Sequence, residues 1–153
     1  GSNTVKVLNQ IKNIPILVVP TGYNFQSLKS ILFATDFSDS YKKNLFDPII
    51  ELSKIWNAGI EVVHVAIEFN LNDNQDAHKE VLKERLSGFD IKFKNITFEN
   101  NISKSIDIYA KDKESSFLSI LRHQHTFWEK VIGEAVVKKV AFHSKIPVLF
   151  LPQ

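Results

Sequence analysis

The stretch Ser30–Ser38, SILFATDFS, has the form of a buried strand that ends in a polar turn. An apolar run without polar alternation is typical of a strand covered on both faces, as in parallel sheets. Asp36 and Ser38 follow this run, and side-chain oxygens of these residue types accept the free N–H groups at a helix start. The sequence therefore predicts a strand over 30–35 and a following helix that is capped by Asp36 or Ser38.

Apolar residues at helical spacing continue this pattern along the chain. They form one stripe over Leu45, Ile49, Leu52 and Trp56, which predicts a helix with one buried face. Pro48 lies inside this stripe, so we expect a bend or a local break there. The helix should end at residues 57–59, where Asn and Gly are typical of helix termini.

The remaining chain alternates strand and helix patterns. Strands are predicted over 60–67, 91–98, 116–121 and 146–151, and helices over 76–87, 103–110 and 130–143. The second of these helices should open at Ser103 or Ser105, and the first should turn Ala77, Val81 and Leu82 inward. Alternating β and α segments with right-handed crossovers predict a doubly wound α/β fold with a parallel sheet.

A repeat joins the two ends of the chain. Asn13–Pro20 reads NIPILVVP and Lys145–Pro152 reads KIPVLFLP, so that Pro15 and Pro147 stand 132 positions apart. Chance similarity of two apolar strands is one interpretation. The spacing favours another, in which the first copy is the end of a preceding domain of the same fold. We expect this extra strand to pair antiparallel with the final strand.

The repeat predicts a division of the chain into two parts. Residues 1–26 would comprise a Gly-Ser tag remnant and the last helix and strand of the preceding domain, so that the natural protein begins earlier. Residues 27–153 would form one complete domain, which is an ordinary domain size.

Composition excludes several classes of function. The chain has no cysteine, so it contains no disulfide, thiolate metal site or thiol catalysis. Its formal net charge of +2 gives no indication of nucleic-acid binding. No apolar run is long enough to cross a bilayer, and the N-terminal residues give no indication of secretion. A cytoplasmic protein with no nucleic-acid or membrane partner is expected.

Motifs for catalysis or metal binding are also lacking. The sequence contains no P-loop, nucleophile elbow or metalloprotease motif, and His123 with His125 would need a third ligand to hold a metal. We therefore predict no catalytic residues and no metal site, with nucleotide hydrolysis as a weak alternative. His64 is interpreted as a satisfied core or helix-facing histidine rather than a catalytic one. Phe127 and Trp128 are interpreted as core or interface residues, with stacking on a base as the alternative.

Three segments resemble the universal stress protein family: Ser30–Ser38, Glu61–Val65 (EVVHV) and Lys138–Pro152 (KKVAFHSKIPVLFLP). The resemblance implies a five-stranded, Rossmann-like parallel sheet of order 3-2-1-4-5 that dimerises through its last strands. It also agrees with a tandem arrangement, in which this chain is the C-terminal domain. The expected partner is therefore a second copy or a preceding stress-protein domain, besides an unknown protein.

One branch of this family binds ATP, and the resemblance implies candidate positions for the adenosine. These are Ala34, Thr35 and Asp36 at the end of the first strand of the domain, and the backbone of Val65 in the second. Asp36 has two compatible roles, as a helix cap and as an adenosine contact.

The phosphate side of that branch has the pattern G-x-x-G-x9-G-[ST]. With Gly133 as the third glycine, Ile120 and His123 stand at the first two positions and Glu134 stands at the Ser/Thr position. Glycines let the backbone approach phosphate oxygens closely, and a carboxylate would repel them. ATP binding in the usual pose is therefore disfavoured.

These observations leave two hypotheses. The first is a non-catalytic stress-response module, without a cofactor, that acts through dimerisation or partner binding and has a degenerate nucleotide site. The alternative is a small-molecule sensor for an adenine nucleotide or a related anion. In that case Asp36 and Val65 would hold the base, and Arg122, His123 or Lys130 would hold the phosphates.

Overall fold

The computed structural model describes residues 3–11, 13–66, 70–111, 116–122 and 144–152. After an N-terminal helix and strand, the described strands and helices alternate as far as residue 121, and one further strand follows. The helices are α1 (Asn3–Gln10), α2 (Asp47–Trp56), α3 (Asp73–Arg85) and α4 (Ile102–Lys111). The strands are β1 (Ile16–Val18), β2 (Ser30–Ala34), β3 (Gly59–Ala66), β4 (Ile91–Thr97), β5 (Ser116–Leu121) and β6 (Val148–Leu151).

One sheet contains all six described strands, in the order β1-β6-β5-β2-β3-β4. Strands β4, β3, β2, β5 and β6 run parallel to their neighbours, in the predicted order 3-2-1-4-5. Strand β1 pairs antiparallel with β6. Both the doubly wound fold class and the antiparallel pairing of the extra strand are confirmed.

Two apolar layers cover the sheet, because successive strand residues point to opposite faces. In β2, Leu32 and Ala34 belong to one layer, and Ile31 and Phe33 belong to the other. The first layer includes α4 and also Leu8 of α1, which is only 4% exposed. The second layer includes residues of α2 and α3. The N-terminal segment therefore packs on the main core.

The helix after β2 begins later than the sequence predicts. Helix α2 starts at Asp47, its N-cap Phe46 makes no side-chain capping bond, and Pro48 lies in its first turn. Proline lacks an N–H group and clashes with the preceding turn, so it starts this helix instead of bending it. The prediction that Asp36 or Ser38 caps the helix is wrong. The predicted helix end is confirmed, since Asn57 adopts a left-handed conformation as the C-cap.

Two further helix starts differ from the predictions. Helix α3 begins at Asp73, earlier than predicted, because Asn72 and Gln75 form a reciprocal capping box. Helix α4 begins at Ile102, and the Asn101 carboxamide oxygen accepts from the N–H of Lys104 at 2.8 Å. Ser103 and Ser105, the predicted starts, are buried inside this helix.

The predicted inward face of α3 is confirmed only in part. Ala77 is exposed, contrary to prediction, whereas Leu82 is fully buried as predicted. The helix predicted over 130–143 lies outside the described residues. Within the described part of the chain, no helix is long and apolar enough to cross a membrane.

Candidate functional site

The sheet brings several of the candidate residues to one edge. Strands β3, β2 and β5 are adjacent and parallel, with Ala34 opposite both Val63 and Ile120. Asp36 and Arg122 each lie two residues beyond the paired residues Ala34 and Ile120. Ligands of open parallel sheets bind at this carboxyl edge, where the strand connections change direction. The candidates from β2, β3 and β5 therefore share one region.

A short loop leaves β2 at this edge; we call residues 35–38 the Asp36 loop. The hydroxyl oxygen Oγ1 of Thr35 lies 2.8 Å from the hydroxyl oxygen of Tyr41, and Oγ1 also accepts from the N–H of Phe37 at 3.0 Å. All three residues are buried. The loop is thus bonded internally from its first residue.

The Asp36 carboxylate has one satisfied oxygen and one free oxygen. Oδ1 accepts from the backbone N–H of Ser38 at 3.0 Å and from its hydroxyl at 2.7 Å. Oδ2 is buried and has no hydrogen-bond partner among the described residues, although Asp36 is only 5% exposed. Asp36 therefore caps its own loop, and a buried acceptor remains for another group.

Side chains from outside the loop bind three consecutive carbonyl groups in it. The carbonyl of Thr35 lies 3.1 Å from Nδ1 of His64, that of Asp36 lies 2.8 Å from Nε2 of Gln75, and that of Phe37 lies 2.9 Å from Nδ1 of His78. A carbonyl oxygen only accepts, so both histidines donate through Nδ1. Strand β3 and helix α3 together fix the backbone that carries Asp36.

Phe37 holds a backbone conformation that side chains normally avoid. Its φ is 57°, in the left-handed region, where a residue with a β-carbon is strained by about 1–2 kcal/mol. Its ring is 1% exposed and stacks on the His64 ring, with 5.1 Å between centroids, and Nζ of Lys79 lies 5.8 Å from its centroid. Ring burial offsets this strain.

Burial also governs the titration of two residues around the loop. It lowers the pKa of His64, and this effect outweighs the opposing hydrogen bond to Thr35 and the charge of Asp36. Burial raises the pKa of Tyr41 far above its usual range. Both side chains are therefore favoured in their neutral forms. The prediction that His64 is a satisfied core histidine is confirmed, because it is 8% exposed and bonded.

Arg122 follows β5 and supplies the second unsatisfied group. Its backbone N–H donates to the carbonyl of Leu151 at 2.9 Å, which holds it beside β6. The residue is 8% exposed, and within the described part of the chain neither Nη1 nor Nη2 has a hydrogen-bond partner. Burial lowers the pKa of this guanidinium. A buried cation without a partner is costly, so the position is suited to an anion.

The described site thus offers a free carboxylate oxygen and free guanidinium donors at one edge of the sheet. A ligand that carries both an N–H donor and an anionic group would match these two groups. No group of three or more potential metal-binding side chains occurs within the described ranges. The chemistry offered is recognition of a polar, negatively charged molecule.

Solved structures of the same architecture are known, although no family model and no curated protein matches the sequence. A universal stress protein in complex with cAMP is 18% identical with a TM-score of 0.57; the alignment covers 82% of this chain and 97% of that one. A universal stress protein from Archaeoglobus fulgidus DSM 4304 is 18% identical with a TM-score of 0.67; here 99% of this chain and 55% of that one are covered.

A third structure, the universal stress protein from Archaeoglobus fulgidus in complex with dAMP, is 15% identical with a TM-score of 0.56. The alignment covers 82% of this chain and 99% of that one. This chain has the universal stress protein fold. At these identities the likeness concerns the fold, and the site rests on this chain's own residues.

Within the universal stress protein fold, the predicted site residues divide into two groups. Ala34, Thr35, Asp36, Val65 and Arg122 are described, and Ala34 and Val65 are buried in the apolar layer on the α4 side.

The second group comprises His123, Lys130, Gly133 and Glu134, which lie outside the described residues, as do His125, Phe127 and Trp128.

Sequence reasoning missed Gln75, His78 and Tyr41, which all contact the Asp36 loop. One signal was available. Asn72 and Gln75 stand at capping-box spacing, which marks a helix start. Nothing in the sequence indicates that the same Gln75 side chain also reaches residue 36, because that contact depends on the packing of α3 beside β2.

Proposed function

We propose that this chain is a universal stress protein that binds an adenine mononucleotide, or a related small anion, at the carboxyl edge of its sheet. The observation that carries the proposal is the pair of buried, unpartnered groups there, Oδ2 of Asp36 and the terminal nitrogens of Arg122. Buried polar groups are rarely left without partners, and an exception calls for an explanation. A bound ligand is such an explanation.

Asp36 supports recognition of an amino-substituted base. An ionised carboxylate only accepts hydrogen bonds, so its free oxygen matches the N–H of an exocyclic amino group. An oxo group at the same position would place two acceptors together, which is unfavourable. Val65 lies near the carboxyl end of the neighbouring strand β3, and its backbone would contact the base there. The free carboxylate oxygen therefore fits a base that carries an amino group, and the neighbours solved with cAMP and with dAMP favour adenine among such bases.

Arg122 supports recognition of a phosphate. A guanidinium binds phosphate oxygens through paired, charge-assisted hydrogen bonds. Ile120, His123 and Glu134 occupy the positions of the family's glycines and Ser/Thr, which disfavours the usual cradle for a triphosphate. One phosphate on Arg122 is therefore the favoured arrangement. Two proteins of this fold were solved with cAMP and with dAMP, each of which carries one phosphate.

A binding role is favoured over a catalytic one. The Ser38 hydroxyl donates to Asp36, and Nδ1 of His64 is occupied by the Thr35 carbonyl. Among the described residues, Ser38, His64 and Asp36 therefore do not form the hydrogen-bonded order of a Ser-His-Asp triad. The proposed role is a stress-response sensor that changes its association with a protein partner when the nucleotide is bound.

The test is mass spectrometry of small molecules released from the freshly purified protein, followed by calorimetric titration with AMP, ADP, ATP and GMP. We expect AMP to bind at least tenfold more tightly than ATP or GMP. Arg122→Gln should weaken AMP binding at least tenfold, because a charged hydrogen bond is lost. Lys145→Gln is the matched control, because Lys145 precedes β6 and so lies at the amino ends of the strands, away from the site. No released nucleotide and no heat from any titration would contradict the proposal.

A second candidate function is partner binding through the sheet edge. Its observation is separate from the site: Leu17 of β1 is 52% exposed although it lies in a strand of the main sheet. Exposed apolar strand residues are typical of association surfaces.

A further inference from the structure

The peptide group between Phe37 and Ser38 is held at both of its ends. Its carbonyl, that of Phe37, accepts from Nδ1 of His78 at 2.9 Å. Its N–H, that of Ser38, donates to Oδ1 of Asp36 at 3.0 Å. A trans peptide group is planar and rigid, and its C=O and N–H point in opposite directions. The position of the His78 ring therefore determines where the N–H that holds the Asp36 carboxylate points.

The preceding peptide group of the Asp36 loop has different anchors. Its carbonyl, that of Asp36, accepts from Nε2 of Gln75 at 2.8 Å, and its N–H, that of Phe37, donates to Oγ1 of Thr35 at 3.0 Å. The carboxylate of Asp36 is not among these anchors. In the following group, by contrast, the carboxylate is one anchor and His78 is the other. Among the described residues, His78 alone holds that group from outside the Asp36 loop.

The orientation of the carboxylate matters because its two oxygens have different surroundings. Oδ1 receives the N–H and the hydroxyl of Ser38, whereas Oδ2 is buried and accepts no hydrogen bond from the described residues. A carboxylate is planar, so a fixed Oδ1 also fixes the direction in which Oδ2 can accept. A hydrogen bond weakens steeply when its angle departs from linearity. Rotation of Asp36 would therefore remove the acceptor from an amino group of a bound base.

The backbone at this point depends on its hydrogen bonds. Phe37 has a φ of 57°, in the left-handed region that residues with a β-carbon avoid, and His78 bonds the carbonyl of this same residue. The His78 ring is itself held in place, since it lies edge-on to the ring of Tyr41 with 6.4 Å between centroids. It also lies one helical turn after Gln75 on α3, so that both side chains share one face of the helix.

We propose that His78 is a positioning residue for base recognition. Through the peptide group between Phe37 and Ser38, it orients the Asp36 carboxylate so that Oδ2 accepts from the amino group of a bound base. The inference rests on the proposed nucleotide site and adds a specificity-determining residue on α3. His78 acts through Asp36 in this assignment, so its removal should weaken selection for the amino group and leave phosphate binding at Arg122 intact.

The first experiment needs no nucleotide. Amide exchange is followed by NMR in the 153-residue chain and in two variants. His78→Leu removes the donor, and His78→Asn places an amide N–H near the position of Nδ1–H. We expect the Ser38 amide to exchange about tenfold faster in His78→Leu, which corresponds to the loss of roughly one hydrogen bond, and at about the wild-type rate in His78→Asn.

The Phe37 amide is the internal reference, because it belongs to the preceding peptide group and donates to Thr35. Its exchange should change little in either variant. Unchanged Ser38 exchange in His78→Leu would overturn the proposal. Equal acceleration of Phe37 and Ser38 would also overturn it, since the whole Asp36 loop would then have loosened.

The second experiment measures selectivity. Wild type and variants are titrated by calorimetry with AMP and with purine riboside 5′-monophosphate, which lacks the amino group of AMP and keeps its phosphate. We expect wild type and His78→Asn to prefer AMP about tenfold, and His78→Leu to lose this preference through weaker AMP binding alone. Glu84→Leu, exposed on the same helix, is the control and should keep the preference.

The two experiments separate this inference from the proposed function. An undiminished preference for AMP in His78→Leu would overturn the specificity role of His78. Equal weakening of both nucleotides would overturn it as well, because His78 would then support the fold of the site in general. Binding of neither nucleotide by wild type would overturn the proposed function and the specificity role together, and Ser38 exchange would still decide whether His78 orients the carboxylate.

Discussion

The side-chain nitrogen Nε2 of Gln75 donates a hydrogen bond to the backbone carbonyl of Asp36 across 2.8 Å. The other end of the same side chain, Oε1, accepts from the backbone N–H of Asn72 at 3.0 Å. Gln75 is 6% exposed, so both bonds are shielded from water. One side chain therefore joins the start of α3 to the loop that carries the candidate binding carboxylate.

These two bonds can be separated by substitution. Gln75→Glu keeps an oxygen for the Asn72 N–H but removes the donor to Asp36 and sets a carboxylate against its carbonyl. We expect AMP affinity, measured by calorimetry, to fall about tenfold, which corresponds to the loss of roughly one hydrogen bond.

Asn72→Ala is the matched control. It removes the cap at the N–H of Gln75, and stability to urea should fall by about 1 kcal/mol while AMP affinity stays unchanged. Equal losses of affinity in both variants would show that Gln75 acts through the helix cap alone.

The buried Thr35–Tyr41 hydrogen bond should contribute to stability in a pairwise manner. Thr35→Val leaves the Tyr41 hydroxyl and the Phe37 N–H without their partner, and we expect a loss of about 1–3 kcal/mol in urea unfolding. Tyr41→Phe should reduce stability by less, since the Thr35 hydroxyl still accepts the hydrogen bond from the Phe37 N–H. The double variant should lose less than the sum of the single losses. Strict additivity would contradict a direct interaction.

The strand order was predictable because apolar runs, helix patterns and right-handed crossovers leave few alternatives. The antiparallel pairing of β1 was predictable from the repeat at Pro15 and Pro147. Helix starts were less predictable, since several polar residues compete as caps. Asp36 is a good cap by type, yet Pro48 sets the start of α2 and leaves Asp36 to bond Ser38.

The site was predictable only in part. Asp36 and Arg122 follow strands that the fold makes adjacent, so their shared edge could be inferred from topology. The contacts of Gln75 and His78 with the Asp36 loop join residues about 40 positions apart in sequence. They depend on how α3 packs against the sheet, which periodicity alone does not determine.

The end of α2 provides a test that is remote from the site. Asn57 has a φ of 50° and is exposed, and its backbone N–H donates to the carbonyl of Ser53. Asn57→Ala should reduce stability by about 1 kcal/mol, because alanine pays the left-handed penalty without compensation. Asn57→Gly should be close to neutral. Thermal unfolding of the two variants side by side gives the answer, and equal midpoints would argue against a backbone cause.

The pH dependence of stability should report His64. Burial lowers its pKa in the folded protein below the usual 6.5, whereas the unfolded chain keeps the usual value. Between these two values the unfolded state binds more protons than the folded state. Folding free energy is therefore undiminished above about pH 6.5 and is lost as the pH falls below it.

The check compares wild type with His64→Gln by urea unfolding at several pH values from 5 to 8. Glutamine does not titrate, so wild type should lose stability relative to the variant below about pH 6.5, with a constant difference above it. Asp36 and Lys79 act on His64 in opposite directions, and burial is the larger effect. A difference that stays constant down to pH 5 would mean that the His64 ring is hydrated and protonates in the folded protein as it does in the unfolded chain.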